Sequence, residues 1–326
     1  MHSRPDLGCL DGVGVNGEQA ARGVTGQASD GETLRSVEAL GFLAGAPERI
    51  GGGDRPWLSG LAASALDPER ANAARVYNYW LGGKDHFGPD RVVGDAIAEI
   101  APWAVQAAVA NRAFLQRVVR FLAFSGIDQF IDLGTGLPAA GAVHEVAQQV
   151  DPEARVVYID HDPVVLAHSR ALLCRNRQTI TLGADVRDPG HILNDYALRT
   201  HLDLTRPVAV LFVAVLHFVT AAEDPAGIVA AFRDTLAPGS YVAITHVADI
   251  DSGVLGRRAA ATREAARLYG EGVAPLVLRT PEQIHALFDG LELIEPGLVR
   301  VGRWRPDHRP RRGPSVPVLA GLGQRT

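Results

Sequence analysis

The stretch FIDLGTGLPAAG, residues 130–141, decides the fold of this chain. An apolar run enters a glycine turn, and a segment compatible with a helix follows it. The next apolar run, residues 155–160, ends in an acidic pair, Asp160 and Asp162. Parallel α/β sheets build nucleotide pockets in this way, because glycines let the backbone approach a ligand and the later carboxylate accepts hydrogen bonds from ribose hydroxyls. The pattern therefore predicts an α/β protein with a pocket for a ligand that contains a nucleoside.

The residues around this stretch alternate short apolar runs with helical stretches, which is typical of βαβ units. Five strands are predicted near 128–133, 155–160, 178–183, 207–213 and 239–246. Helices are predicted near 139–149, 163–175, 188–199, 224–236, 256–269 and 281–288. Two last apolar runs, 298–304 and 316–323, have no helix between them and should pair antiparallel. The expected architecture is a doubly wound sheet of seven strands, five of them parallel, ending in a C-terminal antiparallel hairpin.

The N-terminal part of the chain is expected to differ from the rest. Residues 1–62 are rich in small and charged residues and are predicted to be a flexible or poorly ordered extension, with a weak helix over 32–44. Residues 63–125 are predicted to form a helical cap, which opens with Asp67 as an N-cap and continues with helices over 89–101 and 103–124. Residues 126–326 should form the sheet domain.

Composition bounds the class of protein. With 326 residues, 47% of them hydrophobic and 21% charged, the chain can bury a sizeable core. The net charge of −5 argues against binding of nucleic acid through general electrostatics. Two cysteines imply no disulfide framework, and the longest apolar run, 208–219, is too short to span a bilayer. We expect a cytoplasmic protein with no membrane or nucleic-acid partner.

The positions of the acidic residues narrow the choice of possible ligands. Asp160 lies 24 residues after Gly136, the second glycine of the turn that begins at Gly134. This spacing fits a dinucleotide and other nucleoside ligands equally well. However, Asp132 precedes the glycines, where a carboxylate would repel a pyrophosphate but could hold an ammonium. Asp185 follows the third strand and could accept from an adenine amine. The terminal strand pair also replaces the second half of a dinucleotide domain. An amino acid, a ribose and an adenine without phosphate make up S-adenosylmethionine.

At these residues the chain resembles the class I S-adenosylmethionine-dependent methyltransferases, and more closely an actinobacterial family of S-adenosyl methyltransferases formerly classed as a domain of unknown function. The resemblance runs from about residue 65 to 325. It rests on ARVYNYWLGGKD (74–85), DLGTGLP (132–138), VYIDHDP (157–163), AVLHF (214–218) and LAPGSY (236–241).

The resemblance implies a Rossmann-like methyltransferase sheet with S-adenosylmethionine as cofactor. It places Gly134 and Gly136 under the methionine part, Asp160 on the ribose, and Asp185 with the Val186 amide at the adenine. The full set of expected cofactor-binding residues is Asp132, Gly134, Thr135, Gly136, Asp160, His161, Asp185, Val186, Ala214, Tyr79 and Lys84.

For three regions, the sequence leaves two interpretations open. The aromatic segment VYNYWLGGKDHF, residues 76–87, either closes over the cofactor or anchors a helix to the core. His217, after the fourth strand, is either a general base for a hydroxyl or amine acceptor or a histidine that caps the strand end. The arginine-rich residues 303–312 form either an anion contact or a solvated loop. The histidines show no metal-ligand spacing, so no metal is expected.

The function expected from the sequence is methyl transfer from S-adenosylmethionine to an unidentified small-molecule acceptor by in-line displacement. An NAD(P)-dependent oxidoreductase that uses the same glycine turn is one alternative. A protein that binds S-adenosylmethionine without catalysis is the other.

Overall fold

The fold centres on a mixed β-sheet. The structure, a computed structural model, describes residues 67–250, 258–307 and 316–326, so the predicted extension 1–62 and its weak helix lie outside the described residues. The parallel strands are β1 (Gln129–Leu133), β2 (Arg155–Asp160), β3 (Thr179–Gly183), β4 (Ala209–Val213) and β5 (Tyr241–Val247). The remaining strands of the described sheet are β6 (Glu292–Leu293), β7 (Val299–Arg300) and β8 (Val318–Gln324).

The strand order is β3-β2-β1-β4-β5-β8, and both β6 and β7 pair antiparallel with the far edge of β8. β8 itself runs antiparallel to β5. The prediction of five parallel strands followed by an antiparallel pair is therefore confirmed. The order reverses between β1 and β4, and in open α/β sheets such a switch point opens a crevice at the carboxyl ends of the strands.

One strand prediction is wrong in detail. The run 298–304 is extended only over Val299–Arg300, because the chain then turns into a short 3₁₀ helix, Val301–Arg303. The turn carries Trp304 into the core, where its ring meets the Phe114 ring edge-on at 5.2 Å between centroids. The edge of β8 is completed by β6, a two-residue strand that the apolar pattern does not reveal.

Ten helices flank the described sheet. They are α1 (Ala73–Trp80), α2 (Gly88–Ile100), α3 (Trp103–Phe124), α4 (Val143–Ala147), α5 (Pro163–Leu172), α6 (Pro189–Leu193), α7 (Tyr196–His201), α8 (Pro225–Thr235), α9 (Ala259–Gly272) and α10 (Pro281–Ala286).

Three of the differences from the predicted helices have a local cause. The first helix of the helical cap begins at Ala73 rather than near Pro68. Asn72 is its N-cap and accepts from the amides of the first turn, whereas Asp67 accepts only from Glu69 N in a preceding turn. α4 begins late because Gly141 adopts a left-handed conformation with φ of +70°. The predicted helix 188–199 is two helices, since Asp195 caps a new one.

The sheet is covered on both faces. α3 and α4 pack with Phe130 and its face of the sheet, whereas α6, α7 and α8 pack with Ile131 and the opposite face. Side chains alternate between faces along a strand. Asp132 therefore lies on the face covered by α3, and this alternation brings a carboxylate under that helix.

A buried ion pair joins the first two helices. Arg75 Nε lies 2.8 Å from Asp90 Oδ2, and both side chains are almost fully buried. Asn72 extends this link, since its side-chain amide donates to Asp162 Oδ2 at 2.6 Å. These contacts fix the start of α1 against the carboxyl end of β2.

Within the described residues, no single helix is both long and apolar enough to cross a bilayer. α2 and α3 reach that length and apolarity only as a pair bent by 105°.

Candidate functional site

A cavity of about 510 Å³ opens at the carboxyl ends of the parallel strands. Its floor is formed by the loops after β1, β2, β3 and β4 and by the end of β5. Its walls come from α1, α2, α3, α9 and residues 273–276. The volume lies in the range of small-molecule pockets, and the position is the one that the switch point predicts.

The glycine turn after β1 is held against β2. Gly134 N and Thr135 N both donate to the Ile159 carbonyl, at 2.8 and 3.2 Å. Gly134 and Gly136 each have a φ of +66°, a region that favours glycine. A Cβ at Gly134 would lie 2.6 Å from the Val215 side chain, whereas a Cβ at Gly136 would meet no atom within 4 Å. The turn therefore leaves an open cradle at Gly136.

Asp132 lies beside this cradle, and among the described residues nothing donates a hydrogen bond to its carboxylate. Burial raises the pKa of Asp132 to about 7; Arg112 opposes that rise and Asp160 adds to it. A buried carboxylate that lacks hydrogen-bond donors is costly to ionise, and a bound cation would relieve that cost.

Two residues of α3 that sequence reasoning missed join Asp132 at this end of the cavity. Arg112 lines the cavity and donates to the Ala139 carbonyl at 2.7 Å. Asn111 also lines it, and its Oδ1 is buried without a partner in the described structure. The signal was present in the sequence, because residues 104, 107, 108, 111, 112 and 115 all line the cavity and recur at helical spacing.

Asp160 is held in place by the backbone around it. Its carboxylate accepts from Gly136 N at 2.9 Å and from Asp162 N at 3.0 Å. Burial raises its pKa, and the two amide donors and His161 oppose this rise. Asp162 caps α5 by accepting from Val164 N at 2.7 Å.

The residues after β3 and β4 complete this side of the cavity. Asp185, Val186 and Ala214 line it. Arg187, which sequence reasoning missed, pairs with Asp185 at 2.6 Å and with Glu223 at 2.9 Å. Burial acts to raise the pKa of Asp185, but the hydrogen bonds from Arg187 hold it below its ordinary value. The adenine contact expected of Asp185 would therefore be made by a carboxylate already engaged with a guanidinium.

The structure does not bring Tyr79 and Lys84 to the cavity. The Tyr79 hydroxyl donates to Asp95 Oδ1 at 2.7 Å, and Lys84 lies exposed in the turn after α1. Tyr77 and Trp80 of the same helix line the cavity instead. The reason is helical geometry: Tyr77 and Tyr79 point about 200° apart around the axis, so only one of them can face the ligand.

Aromatic side chains form the far end of the cavity. The rings of Phe218 and Tyr269 stack with centroids 5.9 Å apart, and Trp80 lies 6.3 Å from Tyr269. Trp103 lines the same end. We call these four residues the aromatic end.

His217 lies next to the aromatic end and is 7% exposed. Its ring is edge-on to Phe218 at 4.4 Å and to His246 at 5.7 Å. Burial, together with His246 and Arg279, lowers the pKa of His217 well below its usual range. His217 is thus a neutral imidazole at neutral pH and a weak base.

Over the described ranges, no group of three or more histidine, cysteine, aspartate or glutamate side chains is placed to hold a metal ion.

Comparison with known proteins identifies the family. Residues 59–326 match the sequence profile of the S-adenosyl methyltransferase family. The crystal structure of a candidate methyltransferase from Thermobifida fusca is 41% identical, covers 80% of this chain and 97% of its own, and superposes with a TM-score of 0.74. A DUF574 family protein from Streptomyces avermitilis is 38% identical over 80% of this chain and 99% of its own, also with a TM-score of 0.74. None of the curated proteins compared matches.

This chain therefore belongs to the S-adenosyl methyltransferase family. The resemblance inferred from the sequence is confirmed, and so is S-adenosylmethionine as the cofactor.

Proposed function

We propose that this chain transfers the methyl group of S-adenosylmethionine to a small-molecule acceptor bound at the aromatic end. One observation carries the proposal: a single cavity joins Asp132, Gly136 and Asp160 on one side to Phe218 and Tyr269 on the other. The first set suits an amino acid and a nucleoside, and the second suits the aromatic body of an acceptor.

The residues present fit the cofactor. Asp132 would hold its ammonium, and Arg112 would hold its carboxylate through a charge-assisted hydrogen bond. The open space above Gly136 accommodates a ligand backbone that any side chain there would obstruct. Asp160 is placed for the ribose hydroxyls, and Asp185 with the Val186 amide for the adenine.

When bound, S-adenosylmethionine would supply a methyl group on a cationic sulfur, which the acceptor atom would gain as the sulfur–carbon bond breaks. The chain's own contribution is to orient the two ligands and to exclude water. Such positioning contributes roughly 7–11 kcal/mol in well-oriented systems. The contact between Asn72 and Asp162 serves this purpose, because it fixes α1, with Tyr77 and Trp80, as one wall of the cavity.

No feature of the site favours the two alternatives. A dinucleotide would bring a negatively charged pyrophosphate next to the Asp132 carboxylate. None of the described residues donates a hydrogen bond to that carboxylate, so the repulsion would not be offset. A protein that only binds the cofactor would have no use for an aromatic end beyond it.

The test is calorimetric titration with S-adenosylhomocysteine, S-adenosylmethionine and NADH. We expect both sulfur compounds to bind and NADH not to. Asp160→Asn should weaken binding at least about tenfold, which corresponds to about 1.4 kcal/mol. Asp234→Asn, at an exposed position outside the cavity, is the matched control and should bind normally. Binding of NADH alone would contradict the proposal.

A positive result leads to a search for the acceptor. Incubation with S-adenosylmethionine that carries a labelled methyl group, in the presence of small aromatic compounds, should yield a labelled product. Tight binding without transfer to any acceptor would favour a non-catalytic role.

A further inference from the structure

His217 presents a hydrogen-bond donor to the cavity. Its Nδ1 is buried without a partner, whereas Nε2 is neither buried in this way nor hydrogen-bonded within the described residues. A buried N–H without an acceptor costs more than a buried lone pair without a donor. The proton of the neutral ring therefore resides on Nε2, the nitrogen that remains accessible.

Arg279 holds the turn that carries His217. Its guanidinium donates to the carbonyls of Leu216 and Val219, at 2.9 and 2.7 Å, and to His246 Nε2 at 2.7 Å. A guanidinium cannot accept a hydrogen bond, so His246 Nε2 must be unprotonated and its Nδ1 must donate to the Val247 carbonyl. His246 is consequently neutral, and it cannot relay a proton away from His217.

The charge behind His217 is positive. Arg279 is only 7% exposed, and no carboxylate in the described part of the chain pairs with it. The acidic residues that line the cavity lie on the other side of the switch point: Asp132 is in β1, Asp160 ends β2, and Asp162 and Asp185 follow β2 and β3.

Charges on the other elements around the aromatic end leave this sign unchanged. Asp90, which lies near Tyr269, is neutralised by its buried pair with Arg75. A cavity end with this balance attracts negative charge.

These observations place the aromatic end beside one N–H donor, His217 Nε2, with the buried Arg279 guanidinium behind it. We infer that the acceptor is an aromatic oxyanion, a phenolate or an aromatic carboxylate, whose oxygen accepts a hydrogen bond from His217 Nε2. The inference rests on the proposed function and specifies its substrate class. An acceptor that arrives ionised needs no general base, which agrees with the weak basicity of His217.

The test uses probes of one shape and three charges on protein saturated with S-adenosylhomocysteine. These are 2-naphthoate, 2-naphthamide and 2-naphthylmethylammonium. We expect 2-naphthoate to bind at least about tenfold more tightly than the amide, and the ammonium compound to bind most weakly. Equal binding of the three probes, tightest binding of the ammonium compound, or no binding of any probe would overturn the inference.

Variants identify the residue responsible. His217→Phe keeps an aromatic ring beside Phe218 but removes the donor, so the preference for 2-naphthoate over the amide should disappear. His217→Gln keeps an N–H donor and should retain part of the preference, and this variant decides the question if the phenylalanine variant does not fold. His191→Phe, at an exposed position on α6, is the control and should behave as wild type. A full preference in His217→Phe would exclude His217 as the donor.

The two proposals fail separately. Absence of heat with S-adenosylhomocysteine would contradict the proposed function, whatever the probes do. Normal binding of that compound with no charge preference among the probes would contradict only the inference about the acceptor.

Discussion

Replacing Asp132 by asparagine should stabilise the ligand-free protein and weaken cofactor binding. The carboxylate is buried, and the shift of its pKa from 3.8 to about 7 measures the cost of ionising it in the folded state. Three pKa units at about 1.4 kcal/mol each correspond to an upper limit of about 4 kcal/mol. Asparagine has nearly the same shape and carries no charge at any pH.

The sign of the pH dependence follows from linkage. Because the pKa of Asp132 is raised on folding, the folded protein retains a proton that the unfolded chain releases. Its contribution to stability is complete below about pH 4 and is lost as the pH rises to about 7. The difference in unfolding free energy between Asp132→Asn and wild type should therefore grow from pH 5 to pH 7 and then remain constant.

Urea unfolding of ligand-free protein at pH 5, 6, 7 and 8 measures this difference. Asp234→Asn, at an exposed position, should follow the wild-type profile at every pH. Titration with S-adenosylhomocysteine should show Asp132→Asn binding about ten- to a hundredfold more weakly, since a hydrogen bond to a charged group contributes about 1.5–3 kcal/mol. Parallel stability profiles for wild type and Asp132→Asn, or unchanged affinity, would refute the reasoning.

Three further substitutions test other parts of the structure. Gly136→Ala forces a side chain into a φ of +66° and into the cradle, so calorimetry should show weaker binding of S-adenosylhomocysteine, and unchanged affinity would count against the cradle. Asp90→Asn removes the buried carboxylate that pairs with Arg75 and should cost roughly 3–5 kcal/mol in urea unfolding, whereas Asp307→Asn, in an exposed pair, should cost less than about 1 kcal/mol. Phe218→Leu should raise KM for an aromatic acceptor more than it changes the affinity for S-adenosylhomocysteine; an equal effect on both would place the acceptor elsewhere.

The sheet could be predicted from the sequence because its signals are local. The apolar runs that form β1 to β5 are short, bounded by turn residues and separated by helical stretches, so each strand can be recognised within its own window. The edge strand β6 could not be recognised, because two residues carry no periodicity. The conformation of residues 298–304 could not be predicted either. It depends on Trp304 packing against α3, a contact between residues far apart in sequence.

The candidate site divides in the same way. Asp132, Gly134, Gly136 and Asp160 could be located because the glycine turn fixes their place relative to two strand ends. Residues of the helices were harder. A single sequence shows that α1 is aromatic but not which ring faces the ligand, and so Tyr79 was expected where Tyr77 lies.

Arg112, Arg187 and Arg279 escaped detection for a related reason. An arginine in a helix or a loop is most often solvated, and nothing in the sequence distinguishes one that reaches a buried partner. Arg279 is recognised only from the carbonyls of Leu216 and Val219, which lie more than fifty positions earlier in the chain.

The two ends of the cavity carry charges of opposite sign, and both signs suit the proposed methyl transfer. Asp132 and Asp160 place two buried carboxylates at the end where the cofactor brings an ammonium and hydroxyl groups. Arg279, without a carboxylate among the described residues to neutralise it, gives the acceptor end the opposite sign. A cationic sulfur and an oxyanion drawn to these two ends would meet with opposite charges, and transfer of the methyl group cancels both. The methylated acceptor has lost the charge that its end of the cavity favours, so it would be held more weakly, whereas S-adenosylhomocysteine keeps the ammonium and hydroxyl groups assigned to Asp132 and Asp160.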